Sequence, residues 1–286
     1  MSEASDSSAT QGHRARKRFG QNFLNDEAII AQLLAAISPR SGDHVVEIGP
    51  GLGALSKPLG ESLRDSGKLT LVEIDRDLTA KLGNWVAGNP HIQLQQADAL
   101  AFDFTALASG SHRLRVVGNL PYNISTPLLF HLLEQQQHFA AQQGDHALLF
   151  SDMHFMLQQE VVDRICAVPG GKQYGRLSVT LQYYAAVERL FSVPSSAFSP
   201  RPAVESAILR IAPYAIPPCK ANDEALLSRL VTAAFAQRRK TLRNTLKTFC
   251  SAEQLQALSI APGDRAETLQ VADFVKIANA VQASQQ

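Results

Sequence analysis

The sequence predicts an α/β protein: a parallel sheet covered by helices on both faces, followed by a small C-terminal all-helical domain. Three observations predict it. Short apolar runs alternate with amphipathic stretches through the first two thirds of the chain. Successive apolar runs end in glycines, carboxylates or Asn, as strands do where an open α/β sheet binds ligands. Beyond about residue 212 the apolar residues recur only at helical spacing.

The elements follow in order. Asn25 or Asp26 can cap a helix carrying Ile29, Ile30, Leu33, Leu34 and Ile37, which the stretch from Pro39 to Asp43 ends. His44 to Ile48 is a short apolar strand running into Gly49-Pro50-Gly51-Leu52-Gly53. A helix through Leu55, Leu59 and Leu63 leads to a strand at Leu69–Ile74. A helix from about Leu78 to Val86 leads to a strand at Ile92–Gln95, and Leu114 to Val117 is a fourth strand stopping at Gly118-Asn119. Thr126 is placed to cap the next helix, with Pro127 in its first turn. The Gln-rich, then apolar, stretch from Gln135 to Ser151 shows no readable strand boundary. Met153 to Leu157 reads as a fifth strand, with a helix from about Gln159. Val187 to Val193 and Glu205 to Ile211 flank a proline-bearing segment and can close the sheet as a hairpin-like pair. Pro213 to Pro218 reads as a linker. After it, Leu226, Leu230, Ala233, Ala234 and Phe235 continue into Leu242, Leu246 and Phe249 as one helical run. The expected division is a disordered tail over residues 1–12, an α/β domain over 13–211 and a helical domain over 212–286.

Composition narrows the function. The chain has 286 residues, 45% hydrophobic and 19% charged, enough for one large domain and an appendage with its own core. Three cysteines, Cys166, Cys219 and Cys250, lie far apart without CxxC spacing, and none of the eight histidines forms an HExxH pattern. Neither a disulfide framework nor a zinc site is expected, and no metal is assigned. No signal peptide or membrane-length apolar run is present, so a cytoplasmic protein, monomeric and without a membrane partner, is the expectation. The net charge of +1 carries no nucleic-acid signal, but its distribution does. Arg14, Arg16, Lys17 and Arg18 cluster near the start, and Arg238, Arg239, Lys240, Arg243 and Lys247 near the end. Arg239, Arg243 and Lys247 at i, i+4, i+8 would form one stripe on a helix. A solvated helix face explains most such runs. Five bases unrelieved by acids favour RNA-backbone contact.

Chemistry concentrates at the predicted strand ends. The GxGxG spacing of Gly49, Gly51 and Gly53 permits a tight turn and a close ligand, but it is not the GxGxxG of dinucleotide folds, and no Gly-Lys-Ser/Thr follows for a phosphate loop. Glu73 ends the second strand about 20 residues further on, where a carboxylate can accept both hydroxyls of a ribose. Asp98, after the third strand, can accept an adenine amino group. Neither carboxylate by itself separates cofactor classes. Asn119-Leu120-Pro121-Tyr122, after the fourth strand, does more. An exocyclic adenine amine is a poor nucleophile because its lone pair is delocalised into the ring. Two acceptors, the Asn119 side-chain oxygen and a backbone carbonyl such as that of Leu120, would favour pyramidalisation and free the lone pair. Tyr122 offers a flat face for a flipped-out base.

At these residues the chain resembles the ribosomal RNA adenine dimethylase family. The matching stretches are Arg16-Lys17-Arg18-Phe19-Gly20-Gln21-Asn22-Phe23-Leu24, Val46 to Gly53, Asn119-Leu120-Pro121-Tyr122-Asn123-Ile124-Ser125-Thr126-Pro127, Tyr174-Gly175-Arg176-Leu177-Ser178 and Gln237-Arg238-Arg239-Lys240. They cover nearly the whole chain after about Gly12, and it is the combination that is specific. The resemblance implies a Rossmann-like class I methyltransferase sheet and S-adenosyl-L-methionine as cofactor. It also implies transfer to N6 of two adjacent adenosines in a hairpin loop near the 3′ end of 16S rRNA, within the small ribosomal subunit. It further implies that Asn22 and Leu24 fold over the cofactor, Gly49 meets its methionine part, Glu73 its ribose and Asp98 its adenine, and that Asn119 sits between cofactor and target amine. Tyr122 and Phe198 would sandwich the target base. Two features depart from the family pattern: the long Gln135 to Ser151 stretch, and Arg201 where a proline is usual. The rival readings are a 23S rRNA adenine N6-methyltransferase of the macrolide-resistance type, a nicotinamide-dependent oxidoreductase, and a ribosome-assembly protein whose binding outweighs its catalysis. The long helical tail and the Leu of Asn-Leu-Pro-Tyr favour the small-subunit branch.

Overall fold

A computed structural model describes residues 22–108, 113–144 and 146–284. The basic cluster at Arg14 to Arg18 and most of its motif therefore lie outside the described residues. In chain order, β1 (Phe23–Leu24) precedes α1 (Glu27–Ile37), β2 (His44–Ile48), α2 (Ser56–Leu63), β3 (Lys68–Glu73), α3 (Arg76–Ala87), β4 (Ile92–Gln96) and β5 (Leu114–Asn119). Then come α4 (Ser125–Gln143), β6 (Phe150–Gln158), α5 (Gln159–Ile165), α6 (Arg176–Tyr184), β7 (Ala185–Val193), β8 (Phe198–Ser199) and β9 (Ser206–Pro213). The tail is helical: α7 (Glu224–Phe235), α8 (Leu242–Thr245), α9 (Ala252–Ala257) and α10 (Val271–Ala283).

Seven strands form one sheet in the order β4-β3-β2-β5-β6-β9-β7. The first five are parallel; β9 runs antiparallel to both β6 and β7. The chain moves outward from β2 in one direction and from β5 in the other, so the topological switch point lies between these strands, at Gly49 and Asn119. β2 is buried along its whole length, as a central strand covered on both faces must be. One face packs Val116, Phe155 and Leu209 under Leu128, Leu129, Leu132 and Leu133 of α4. The other packs Val45, Leu69, Leu71 and Val117 under Leu33 and Ile37 of α1 and Leu59 and Leu63 of α2. A third core, in the helical tail, joins Leu230, Leu246 and Phe274 to Tyr174, Val179 and Tyr183 beside the sheet.

Local signals are met in most places. Asp26 caps α1, its side chain accepting from the N–H groups of Ala28 and Ile29. Thr126 does not cap α4: the helix starts one residue before it, with Ile124 at the cap position, and the Ser125 hydroxyl bonds back to the Tyr122 carbonyl. The turn already closed by Ile124 N–H on Pro121 leaves Thr126 inside the helix. The Gln135 to Ser151 stretch resolves into the end of α4 and the start of β6. Gln135 accepts from Phe104 N–H at 2.7 Å and donates to the Phe102 carbonyl at 2.7 Å. Gln136 accepts from the N–H groups of Leu149 and Phe150 and donates to the Ala147 carbonyl. At the same amino end of the strands, the Arg115 guanidinium holds Asp152, Asp43 and the carbonyls of Ile37 and Ser38, tying α1 to β5 and β6.

The expected single helix from Leu226 to Phe249 is broken. α7 stops at Phe235, and Thr241 takes an extended conformation before the four-residue α8. The N–H groups of Leu242 and Arg243 bond to the carbonyls of Asp264 and Pro262 instead of continuing a helix. Leu242 and Leu246 keep helical spacing because both point into the tail core.

Candidate active site

The carboxyl ends of β2, β3, β4 and β5 open into a cleft of about 210 Å³. Gly49 and Gly51, both at positive φ (68° and 59°), turn the chain sharply out of β2. A side chain at Gly51 would stand 3.2 Å from the Phe23 ring, so the glycine also lets β1 pack close over the loop. Asn22, Leu24, Gly49, Glu73, Asp98, Asn119, Leu120 and Tyr122 all line this one cleft.

Glu73 is buried at the end of β3. Its carboxylate accepts from Gly51 N–H at 3.2 Å and Asp75 N–H at 2.9 Å, which holds it against the glycine loop. Burial pushes its pKa up, and those backbone bonds oppose the shift. Asp98 is exposed at the rim, one oxygen accepting from Leu100 N–H. Glu47, one residue before the end of β2, opens the glycine-loop motif but carries no assigned role in the sequence reading. It is 3% exposed, lines the cleft, and its Oε2 has no partner. Burial raises its pKa to about 7, with the Ser56 hydroxyl pulling down and the Glu73 carboxylate pushing up. Its place inside an apolar strand hides it: Val46-Glu47-Ile48 reads as core.

Asn119 ends β5, and its Nδ2 donates to the Asn22 backbone carbonyl at 2.9 Å. A carbonyl can only accept, so the amide nitrogen must face it and Oδ1 remains as the acceptor. Tyr122 is half-buried, its hydroxyl bonded to Ser206 Oγ at 2.9 Å. Phe198 is placed differently. It does not line the cleft; it is 4% exposed, packed in the core that contains Leu24 and paired with Leu24 in the β1–β8 ladder. No sequence signal marks a ladder of two residues whose strands lie so far apart in the chain. Arg238, Arg239, Lys240, Arg243 and Lys247 are all exposed, but the break at Thr241 splits them between the turn after α7, α8 and the turn beyond, so they form no helical stripe. Arg238 is partly committed, donating to the Lys172 carbonyl and lying 3.5 Å from Glu267.

A family model for ribosomal RNA adenine dimethylase matches residues 12–283. The chain belongs to the ribosomal RNA adenine dimethylase family. Relatives in this family include the Ribosomal RNA small subunit methyltransferase A of Acinetobacter baylyi, 52% identical over 269 residues, 94% of this chain and 93% of that one. The protein of the same name from Pseudomonas aeruginosa is 51% identical, covering 93% of this chain and 94% of its own length. Among solved structures, the 23S rRNA methyltransferase ErmE aligns with a TM-score of 0.68 at 22% identity over 91% of this chain and all of that one. A dimethyladenosine transferase from Plasmodium falciparum aligns at 0.70 and 23% identity over 89% and 95%. These likenesses establish the class I methyltransferase fold for this member of the dimethylase family.

Proposed function

We propose that the protein transfers methyl groups from S-adenosyl-L-methionine to the N6 amino groups of two adjacent adenosines near the 3′ end of 16S rRNA. The substrate is the small ribosomal subunit, met in the cytoplasm by a monomeric enzyme. The observation that carries the reading is the Asn119 amide, fixed by the Asn22 carbonyl so that Oδ1 is its acceptor, at the mouth of a cleft rich in acceptors.

The residues fit the cofactor. Glu73 keeps lone pairs beyond its two backbone bonds for ribose hydroxyls, Asp98 keeps one oxygen for an adenine amino group, and the partnerless Glu47 Oε2 suits a donor or cation. When bound, S-adenosyl-L-methionine supplies an electrophilic methyl on a sulfonium. Asn119 Oδ1 and the Leu120 carbonyl accept the two N–H bonds of N6 and turn its lone pair toward that methyl. Transfer of that methyl would leave the charge on N6, whose proton would then be acidic enough to pass to water beside Asn119 and Leu120. No side-chain base is required. Preorganised dipoles of this kind are worth roughly 2.7–4 kcal/mol each. Unpaired loop adenosines cost less to extrude than paired ones.

Asn119→Ala is expected to lower kcat on unmodified small subunits by about 10²–10³-fold, while the cofactor dissociation constant moves far less. Nucleoside analysis of the wild-type product should give N6-dimethyladenosine. Equal losses in cofactor binding and turnover would contradict the role given to Oδ1, because a group acting on the amine spares ground-state cofactor binding.

A further inference from the structure

We propose that Ser206, the first residue of β9, and Glu205, just before it, are positioning residues that set the two aromatic walls of the target-base site. The inference rests on the reading of Tyr122 and Phe198 as those walls; Phe198, 4% exposed and outside the cleft lining, has to turn out of its core beside Leu24 to meet a base. Ser206 is fully buried and pairs with Gln158 of β6 on one side and Val193 of β7 on the other, so it sits on a strand held from both edges. Its hydroxyl shares the 2.9 Å bond with Tyr122, which lies in the turn between β5 and α4. That bond fixes the far end of the ring while Pro121 fixes its root.

Glu205 acts on the other wall. Its carboxylate accepts from Ser195 N–H at 2.8 Å and from the Ser195 hydroxyl at 3.2 Å, and Arg201 Nε donates to the same hydroxyl at 2.9 Å. Ser195 opens the short turn that leads directly into Phe198. The backbone is anchored as well, the Glu205 carbonyl accepting from Gln159 N–H at 3.0 Å. From Phe198 the connection continues: β8 pairs with β1, Asn25 N–H bonds to the Ala197 carbonyl, and Asn22, next to β1, orients the Asn119 amide. Ser206, the first residue of β9, and the exposed Glu205 just before it thus reach Tyr122 by one route and Phe198, then Asn119, by the other. Arg201, through its bond to the Ser195 hydroxyl, belongs to this second route. An active site gains rate from walls held to within a fraction of an ångström, which gives this bracing its functional weight.

The test is a set of variants read by methyl transfer to unmodified small subunits. Ser206→Ala and Tyr122→Phe should each lower kcat roughly three- to tenfold, the effect of removing one hydrogen bond at a positioned group. KM for cofactor should stay near wild type, and the melting temperature should fall by no more than the few degrees that one lost hydrogen bond costs. The double variant should be no slower than the slower single one, because both substitutions remove the same bond. Glu205→Ala combined with Ser206→Ala should instead multiply the two losses, because each acts on a different wall. The proposal is overturned if Ser206→Ala matches wild-type kcat, or if the Tyr122→Phe and Ser206→Ala effects multiply. A second readout needs no substrate: the ring-flip rate of Tyr122, measured by NMR on 13C-tyrosine-labelled protein, should rise in Ser206→Ala. A wild-type protein inert on small subunits, with that rise intact, would reject the base-site reading. An active wild type with an unchanged flip rate would reject the bracing.

Discussion

Glu47 shows how one residue carries a cost of the site into the stability of the fold. In an unfolded chain its carboxyl ionises near 4.5; in the folded protein burial holds it protonated up to about 7. Between those values the unfolded state sheds a proton that the folded state keeps, so stability falls as pH rises through this window, and the loss is complete above it. Glu73, shifted in the same direction by the same cause, adds to the slope. Replacing Glu47 with Gln should raise the melting temperature of the cofactor-free protein at pH 8, by the equivalent of on the order of 3 kcal/mol, with the gain vanishing below pH 4.5. A gain independent of pH would show that packing, not ionisation, is responsible. Asn119, Glu73 and Asp98 are legible in the sequence because each follows an apolar run at a strand end, where polar residues stand out. Glu47 is not, since it lies inside the run, and Phe198 is legible only through family resemblance.

Single elements are readable to the degree that burial imposes a pattern. β2, β3 and β5 are covered on both faces and appear as continuous apolar runs, whereas the junction of α4 and β6 is built by glutamine side chains that carry no periodic signal. Gln136 is 2% exposed and serves three backbone groups at the start of β6. Gln136→Leu should therefore destabilise the protein by about 2–4 kcal/mol, through buried groups left without partners, and denaturant titration would read it. A change under about 0.5 kcal/mol, the range of surface substitutions, would mean the groups find other partners. The 236–247 segment misleads for the opposite reason: Leu242 and Leu246 preserve helical spacing across a turn. What survives there is the charge. Neutralising Arg239, Arg243 and Lys247 together should weaken rRNA binding and reduce the slope of log K against log salt by roughly 0.7–0.9 for each phosphate left without its cation. An unchanged slope would make these residues a solvated surface.

At the scale of the whole molecule, the fold places the chemistry on one edge of the sheet, and the exposed bases lie on the helical tail that follows β9. The order β4-β3-β2-β5-β6-β9-β7 brings Gly49, Glu73, Asp98 and Asn119 from four separate stretches of sequence to one cleft at the switch point. The parallel part of that order follows from the alternation of strands and helices; the reversed β9 and the β1–β8 ladder depend on long-range pairing that no local pattern announces. Among the described residues no helix is long and apolar enough to cross a membrane. The fold alone does not choose the RNA, since a 23S rRNA methyltransferase shares it at 22% identity. The decisive measurement offers the protein, with labelled S-adenosyl-L-methionine, purified small and large ribosomal subunits that both lack dimethyladenosine. Label in the small subunit alone, recovered as N6-dimethyladenosine, is the predicted result; label in the large subunit, or in neither, would contradict the account.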